Sequence, residues 1–424
     1  MRRLLTGLCL VGFLFSSCSD DEPMPTVFTS LYDAGGEGDS LSCDTGLPVL
    51  SFHTADGQGL YDKETWRKAT LAVWTRETGW GPTDSVLLRG RGNATWKFPK
   101  KPFNLKFTRK QSLLGMPSHK RWVLLANYHD RTLLRNALTF HLGSLMEGLA
   151  WTPRFRYAEV LFNGHHVGNY LVCEQVRTGK NRVDIEEMTP SDMEGEALTG
   201  GYLLHFDKYY DEPVCFRTSI CHWPVAVKSP DEEDIQPVQL QYIRDYVNDC
   251  EALMKKGKFD PVHDLLLDYR SFADYYIIQT LSGNKELREP RSVYAYKERG
   301  GPLCAGPLWD FDFSTYINPE ASFNRNAIWY HYLFHDPVFV AVLKERWTAT
   351  SAVLLRESEA FLDSMSLKLD VSQRLNFQIF PIRNDIVHKY LNHDEALPYG
   401  AALERMKTVV GQRIGVMDRY ISSM

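Results

Sequence analysis
Between residues 282 and 316 the sequence reads SGNKELREPRSVYAYKERGGPLCAGPLWDFDFSTY, and its acids Glu286, Asp310 and Asp312 have the types and spacing to do chemistry. Glu286 closes the polar cluster Gly283-Asn284-Lys285-Glu286, and the two aspartates alternate with aromatic residues in Trp309-Asp310-Phe311-Asp312. Two strand-like runs lie between them, Ser292 to Tyr296 and Leu303 to Leu308, with Gly300-Gly301 to turn the chain. This pattern predicts a hairpin that brings all three acids to one end. Carboxylates held that close repel unless a cation lies among them, so the arrangement predicts a divalent metal. An Asp-x-Asp on its own more often caps local backbone donors. Here Pro307, Leu308, Trp309, Phe311 and Phe313 set the acids at the edge of a packed region, where unpaired charge is costly.

A second cluster lies upstream. Arg89-Gly-Arg-Gly-Asn-Ala-Thr-Trp96, followed by Lys97-Phe-Pro-Lys-Lys-Pro-Phe-Asn-Leu-Lys106, gathers cations and glycines in one strand-turn-strand. Glycines let backbone donors approach an anion, and Arg and Lys neutralise phosphate oxygens. Taken alone this is a solvated basic turn. Together with a metal-acid cluster downstream it supplies the other half of a nucleoside triphosphate site. Lys106 alternates with Leu105 and Phe107, so its side chain is expected to leave the apolar face and enter a cleft.

The elements that must position these residues change character along the chain. Leu47 to Phe52, Ala69 to Trp74, Ser85 to Leu88, Phe103 to Phe107 and Trp122 to Leu125 are short β-favouring runs broken by Gly, Pro and Asp. A helix is predicted from Arg131 to Leu145 with Asp130 as its N-cap. Tyr157 to Phe162 and Val167 to Cys173 flank Asn163-Gly164, a strong hairpin signal, with His165 and His166 read as solvated turn residues. Gly200 to Asp207 is another strand. Ser229-Pro230-Asp-Glu-Glu233 has the order of a helix start, and amphipathic runs follow at about 236–256, 260–281, 335–366, 371–392 and 400–422. A sheet-rich first half and a helix-rich second half make the α+β class.

A formal charge of −5 argues against nucleic acid as a partner. Arg2-Arg3, the apolar segment Leu4 to Phe15, and Ser16-Ser17 before Cys18 have the layout of a lipoprotein signal over residues 1–18, with Cys18 as the lipidated residue. Residues 19–45 are polar and read as a tether. Ser19-Asp-Asp-Glu22 resembles the acidic tag after the lipid cysteine of surface-exposed lipoproteins in Bacteroidetes-type bacteria, which implies the outer membrane and the cell surface. Of the other cysteines beyond the signal, Cys215 and Cys221 are closest in sequence. A disulfide or buried free thiols are expected there ahead of zinc.

The ordered motifs RGRGNATWKFPKKPFNLKF, WVLLANYHDRTLLRNAL, AEVLFNGHHVGNYLVCEQV, GGYLLHFD, GNKELREPRSVYAYK and GPLWDFD resemble the spore coat protein H (CotH) kinase family. The resemblance runs from about Leu47 to the C-terminal helix. It implies a diverged protein-kinase-like fold over residues 46–424, with a sheet-rich N-lobe at about 46–176 and a mainly helical C-lobe at about 177–424. It further implies a secretory kinase that transfers the γ-phosphoryl group of ATP, with Mg or Mn, to Ser or Thr of a partner protein. By motif, Asp310 is the metal-binding acid, with Asp312 beside it and Ser292 near the metal. Glu286 falls on the catalytic acid, Arg91 and Lys106 on phosphate contacts, and Glu174 where the segment between lobes would meet adenine. Glu286 adds a methylene where the family usually has Asp, and His205 stands where Glu is common. These departures leave an inactive kinase-like surface module that binds a protein partner as the alternative. A glycan hydrolase using Glu286 and Asp310 is a third reading, disfavoured by the basic cluster.

Overall fold
The computed structural model describes residues 41, 44–256, 266–321, 323–387 and 392–424. The signal segment, Cys18 and nearly all of the tether lie outside them.

The first half closes into a barrel-like sheet. Its strands are β1 (Val49–Thr54), β2 (Arg67–Thr75), β3 (Gly79–Trp80), β4 (Asp84–Gly90), β5 (Phe103–Leu113), β6 (Met116–Leu125), β7 (Phe155–Phe162) and β8 (His165–Glu174). They pair in the order β1-β7-β8-β6-β5-β4-β2-β3, and β1 also pairs with β2 to close the ring. Only the β1–β7 pair is parallel.

Alternation explains why these strands form and which way they face. Trp122 and Leu124 of β6 point into the barrel core with Phe52, Leu105, Phe162 and Tyr170. Val123 and Leu125 point outward into a second core shared with the helices. Tyr170 and Val172 of β8 face in while Leu171 and Cys173 face out, so both sides of this part of the sheet are covered.

The second sheet is antiparallel, ordered β10-β11-β9-β12-β13, from β9 (Tyr202–Phe206), β10 (Cys215–Arg217), β11 (Pro224–Ser229), β12 (Val293–Lys297) and β13 (Leu303–Ala305). The principal helices are α1 (Arg135–Gly143), α2 (Pro237–Lys256), α3 (Tyr269–Leu281), α4 (Pro337–Ile379) and α5 (Tyr399–Ser422). In α4, Asp336 caps the first turn by accepting the Val338 N–H at 2.8 Å, Pro337 opens the helix, and Phe339, Leu343, Trp347, Leu354 and Leu362 form one buried stripe. The helix packs on α1, α3, α5 and β8, and Phe380 and Val387 just beyond it close one end of the barrel core.

Several boundaries differ from the sequence reading. Helix α1 starts at Arg135 rather than Arg131, because the Asp130 carboxylate accepts the N–H groups of Thr132 and Arg135 while Leu133 takes a left-handed φ of 61°. Ser229 ends strand β11, which pairs with β9, and the next helix begins at Pro237. The runs predicted at 335–366 and 371–392 are continuous as far as Ile379. His166 is a strand residue whose Nε2 lies 2.7 Å from the buried Glu159 carboxylate, not a solvated turn residue. Cys215 and Cys221 are free thiols, as are Cys173, Cys250 and Cys304.

Candidate active site
The β12–β13 hairpin, turned at Gly300-Gly301, does carry the two acidic segments to one place. Glu286, Ser292, Asp310 and Asp312 open on a cavity of about 580 Å³ whose opposite wall is the loop after β4, including Arg91, Gly92, Asn93 and Thr95. That loop turns tightly. Gly92 has φ +85°, and a Cβ there would lie 2.1 Å from Thr95 Oγ1, so only glycine fits.

Backbone anchors fix the acids. Asn284 Oδ1 accepts the Glu286 N–H at 3.0 Å. The segment after β13 is pinned from α1, where Asn136 Oδ1 accepts the Phe311 N–H at 2.7 Å. Asn392 completes the clamp: its Oδ1 accepts the Ser314 N–H at 2.7 Å and its Nδ2 donates to the Asp312 carbonyl at 3.0 Å. Asp310 itself holds φ +67°, which aims its carboxylate into the cavity, where Ser292 Oγ donates to it at 3.2 Å.

Electrostatics follow from this crowding. Burial, then the neighbouring Asp310, raises the Glu286 carboxyl to about 8, against the opposing pull of Arg291 at 3.4 Å. Burial and Asp312 push Asp310 up to about 6, and burial with Asp130 does the same to Asp312, while Arg91 draws both down. The Arg91 guanidinium stacks 5.5 Å over the Trp309 ring, which rests on Phe140. Asp207 is a fourth acid in the cavity. Its carboxyl is raised by burial, and it accepts the N–H groups of Tyr209 and Ser292. Burial lowers the neighbouring His205 to about 4, so the imidazole, stacked on Tyr294, is neutral.

The structure therefore gathers Glu286, Ser292, Asp310, Asp312 and Arg91, and leaves two expected residues elsewhere. Lys106 does leave the apolar face of β5, but that face looks away from the cavity, and its ammonium lies 5.9 Å over the Trp66 ring. Glu174 is buried, its carboxylate taken by Arg154 at 3.0 Å and by Arg182. The lysine that lines the cavity is Lys100, which is fully buried. It donates to the Asn169 carbonyl and to Asn376 Oδ1, and burial lowers it to about 7 although Glu159 opposes the shift. Lys100 sits in the quoted basic stretch, but only its packing against β8 and α4 distinguishes it from its neighbours. Asp207 ends a predicted strand and carried no separate signal.

Among the described residues no group of three or more His, Cys, Asp or Glu stands ready to hold a metal ion. The set Asp310, Asp312 and Ser292 is all oxygen. A hard cation of the magnesium type is commonly held by one or two carboxylates, its remaining positions filled by phosphate oxygens and water, so these residues fit such an ion.

Fold and site together define a mixed α+β protein with a barrel-like sheet, a helical second half, and a carboxylate-rich cleft faced by an arginine and a buried lysine. Residues 88–379 match the family model described as CotH kinase protein, and the chain belongs to the CotH kinase family. No curated protein matches the sequence.

Proposed function
We propose that the protein is an atypical, kinase-like phosphotransferase that uses ATP with Mg or Mn to phosphorylate Ser or Thr of a partner protein. The observation that carries this reading is the shared cavity, where Asp310, Asp312 and Glu286 face Arg91 and Lys100. In it the barrel and the helical half act as N- and C-lobes. Asp310, with Asp312 and Ser292, would hold the divalent cation, which would supply charge neutralisation for the phosphates. Arg91 and Lys100 offset the remaining phosphate charge, and the loop of residues 91–95 offers backbone donors. Glu286 orients the acceptor hydroxyl and takes its proton, with Arg291 favouring the ionised form.

The test is ATP consumption with purified protein and added magnesium or manganese. Asp310→Ala is expected to lower it by about a hundredfold or more, and equal turnover by that variant discards the mechanism. The raised Glu286 carboxyl, which gives up its proton less readily than an ordinary glutamate, favours a second reading: a kinase-like surface module that binds a protein partner without transfer. Absence of metal-dependent ATP consumption by the intact protein selects it. Export and lipidation at Cys18 are part of the proposal and rest on the sequence pattern of residues 1–22; the mass of the mature N-terminus tests them.

A further inference from the structure
Away from the cavity, the outer face of β4, β5 and β6 concentrates positive charge. Arg89, Lys106 and Arg121 surround the Trp66 ring at 4.6, 5.9 and 5.7 Å. Beside them a groove of about 250 Å³ is lined by Lys110, Lys120, Arg121 and Arg177, and none of these lines the cleft described above. Arg177 has an acid partner, the exposed Asp231 at 3.0 Å. Among the described residues Lys106, Lys110, Lys120 and Arg121 have no carboxylate within ion-pair distance. Burial and then like-charge neighbours weaken the protonated forms of Lys106 and Arg121, with Asp231 opposing the shift at Arg121. In a chain of net charge −5, a cationic cluster only partly offset by the acids beside it is a local electrostatic cost that a bound anion removes.

The shape of the groove selects the anion. Glu187, Asp231 and Asp234 stand on its wall and repel a long polyanion or a run of acidic residues, but leave room for one compact dianion. Trp66 lies outside the groove lining and already carries three cations over its ring, so it does not present the groove with a stacking platform for a nucleobase. Met188 and Pro230, the apolar residues in the groove, are buried, so there is no wedge for a lipid bilayer. A phosphate monoester carries close to two charges and three acceptor oxygens, which suit an arginine flanked by lysines.

We propose that this groove is a docking site for a phosphorylated Ser or Thr of a protein partner. The identity of the ligand rests on the phosphotransfer reading, since it is that reaction's product; the groove itself does not. Docking a product residue there would keep the same partner on the protein for further rounds.

The experiment is fluorescence anisotropy with the full-length protein at physiological salt, using a labelled peptide with a single phosphoserine and its unphosphorylated twin. The phosphopeptide is expected to bind at least about tenfold tighter. The doubly substituted Lys120→Gln/Arg121→Gln protein should lose that preference, as should Lys110→Gln/Lys120→Gln, which alters only exposed lysines and guards against a folding defect. Asp310→Ala should retain the preference, so a failed kinase and a failed groove give different results. Equal binding of the twin, an unchanged preference in both double variants, or its loss in Asp310→Ala overturns the proposal. Displacement of the peptide by equimolar inorganic phosphate, by anionic vesicles or by single-stranded RNA also overturns it.

Discussion
At the residue scale the cleft is a set of acids whose proton affinities are raised by burial and by one another. For Glu286 the folded value, about 8, lies above the ordinary 4.5. The folded state therefore holds this proton more tightly than the unfolded chain does. That contribution to stability is complete below the ordinary value and is lost as pH rises through 4.5 to about 8; Asp310 and Asp312, raised to about 6, act in the same direction. Glu286→Gln keeps the shape and removes the titration. With a metal chelator present, the variant is expected to be more stable than the parent at pH 9 by on the order of a few kcal/mol, the gap closing towards pH 4.5. Melting temperatures of both proteins across that range check it. A gap independent of pH would show that the acid is not strained by its neighbours. Stability gained by removing a group is the signature of a residue kept for function.

At the element scale the decisive part is the segment after β13, which has no regular structure of its own and takes its shape from α1 and residue 392. Asn392 is buried and satisfies one donor and two acceptors, among them the Ser314 N–H and the Asp312 carbonyl. Asn392→Ala strands these groups and is expected to cost about 1–3 kcal/mol in denaturant unfolding. It should also lower metal-dependent ATP consumption by at least about tenfold with Asp310 intact, because displacement of a reacting group by about an ångström costs that much or more. Unchanged activity would show that the segment holds its own conformation. This dependence marks the limit of what is legible in the chain. The hairpin at Gly300-Gly301 and the gathering of Glu286 with the aspartates follow from local alternation and turn chemistry, and so does the β7–β8 turn at Asn163-Gly164. The start of α1 does not, because it depends on where the Asp130 carboxylate is engaged. Nor does strand β11, where pairing with β9 overrides the Ser-Pro-acid signal at Ser229. Lys106 is the instructive residue: alternation gives its face correctly, but which face of a closed barrel meets the cleft is decided by the elements packed outside it. Lys100 reaches the cavity because Asn169 of β8 and Asn376 of α4 receive its ammonium.

At the scale of the whole molecule the cavity is a seam. One wall comes from loops of the barrel, residues 91–102 and 125–129, and the other from the second sheet and the segments around its last hairpin, residues 205–209, 286–294 and 309–313. Helix α4 spans roughly 65 Å at 1.5 Å per residue over its 43 residues. It is anchored to the barrel side through Asn376 to Lys100 and Ser372 to Asn169 at 2.7 Å, and packs on α3 of the other half. A ligand that bridges the seam binds the folded molecule and has no counterpart in the unfolded chain. ATP with magnesium at about a hundred times its dissociation constant should then stabilise the protein by about 2.7 kcal/mol, a rise of several degrees in the melting temperature. The shift should depend on magnesium in the parent protein and lose that dependence in Asp310→Ala, where Arg91 and Lys100 still face the phosphates. Differential scanning fluorimetry with ATP alone, magnesium alone and both together separates these terms. An unshifted transition in the parent under all three conditions removes nucleotide from the cleft and leaves the protein-binding module as the function of the fold.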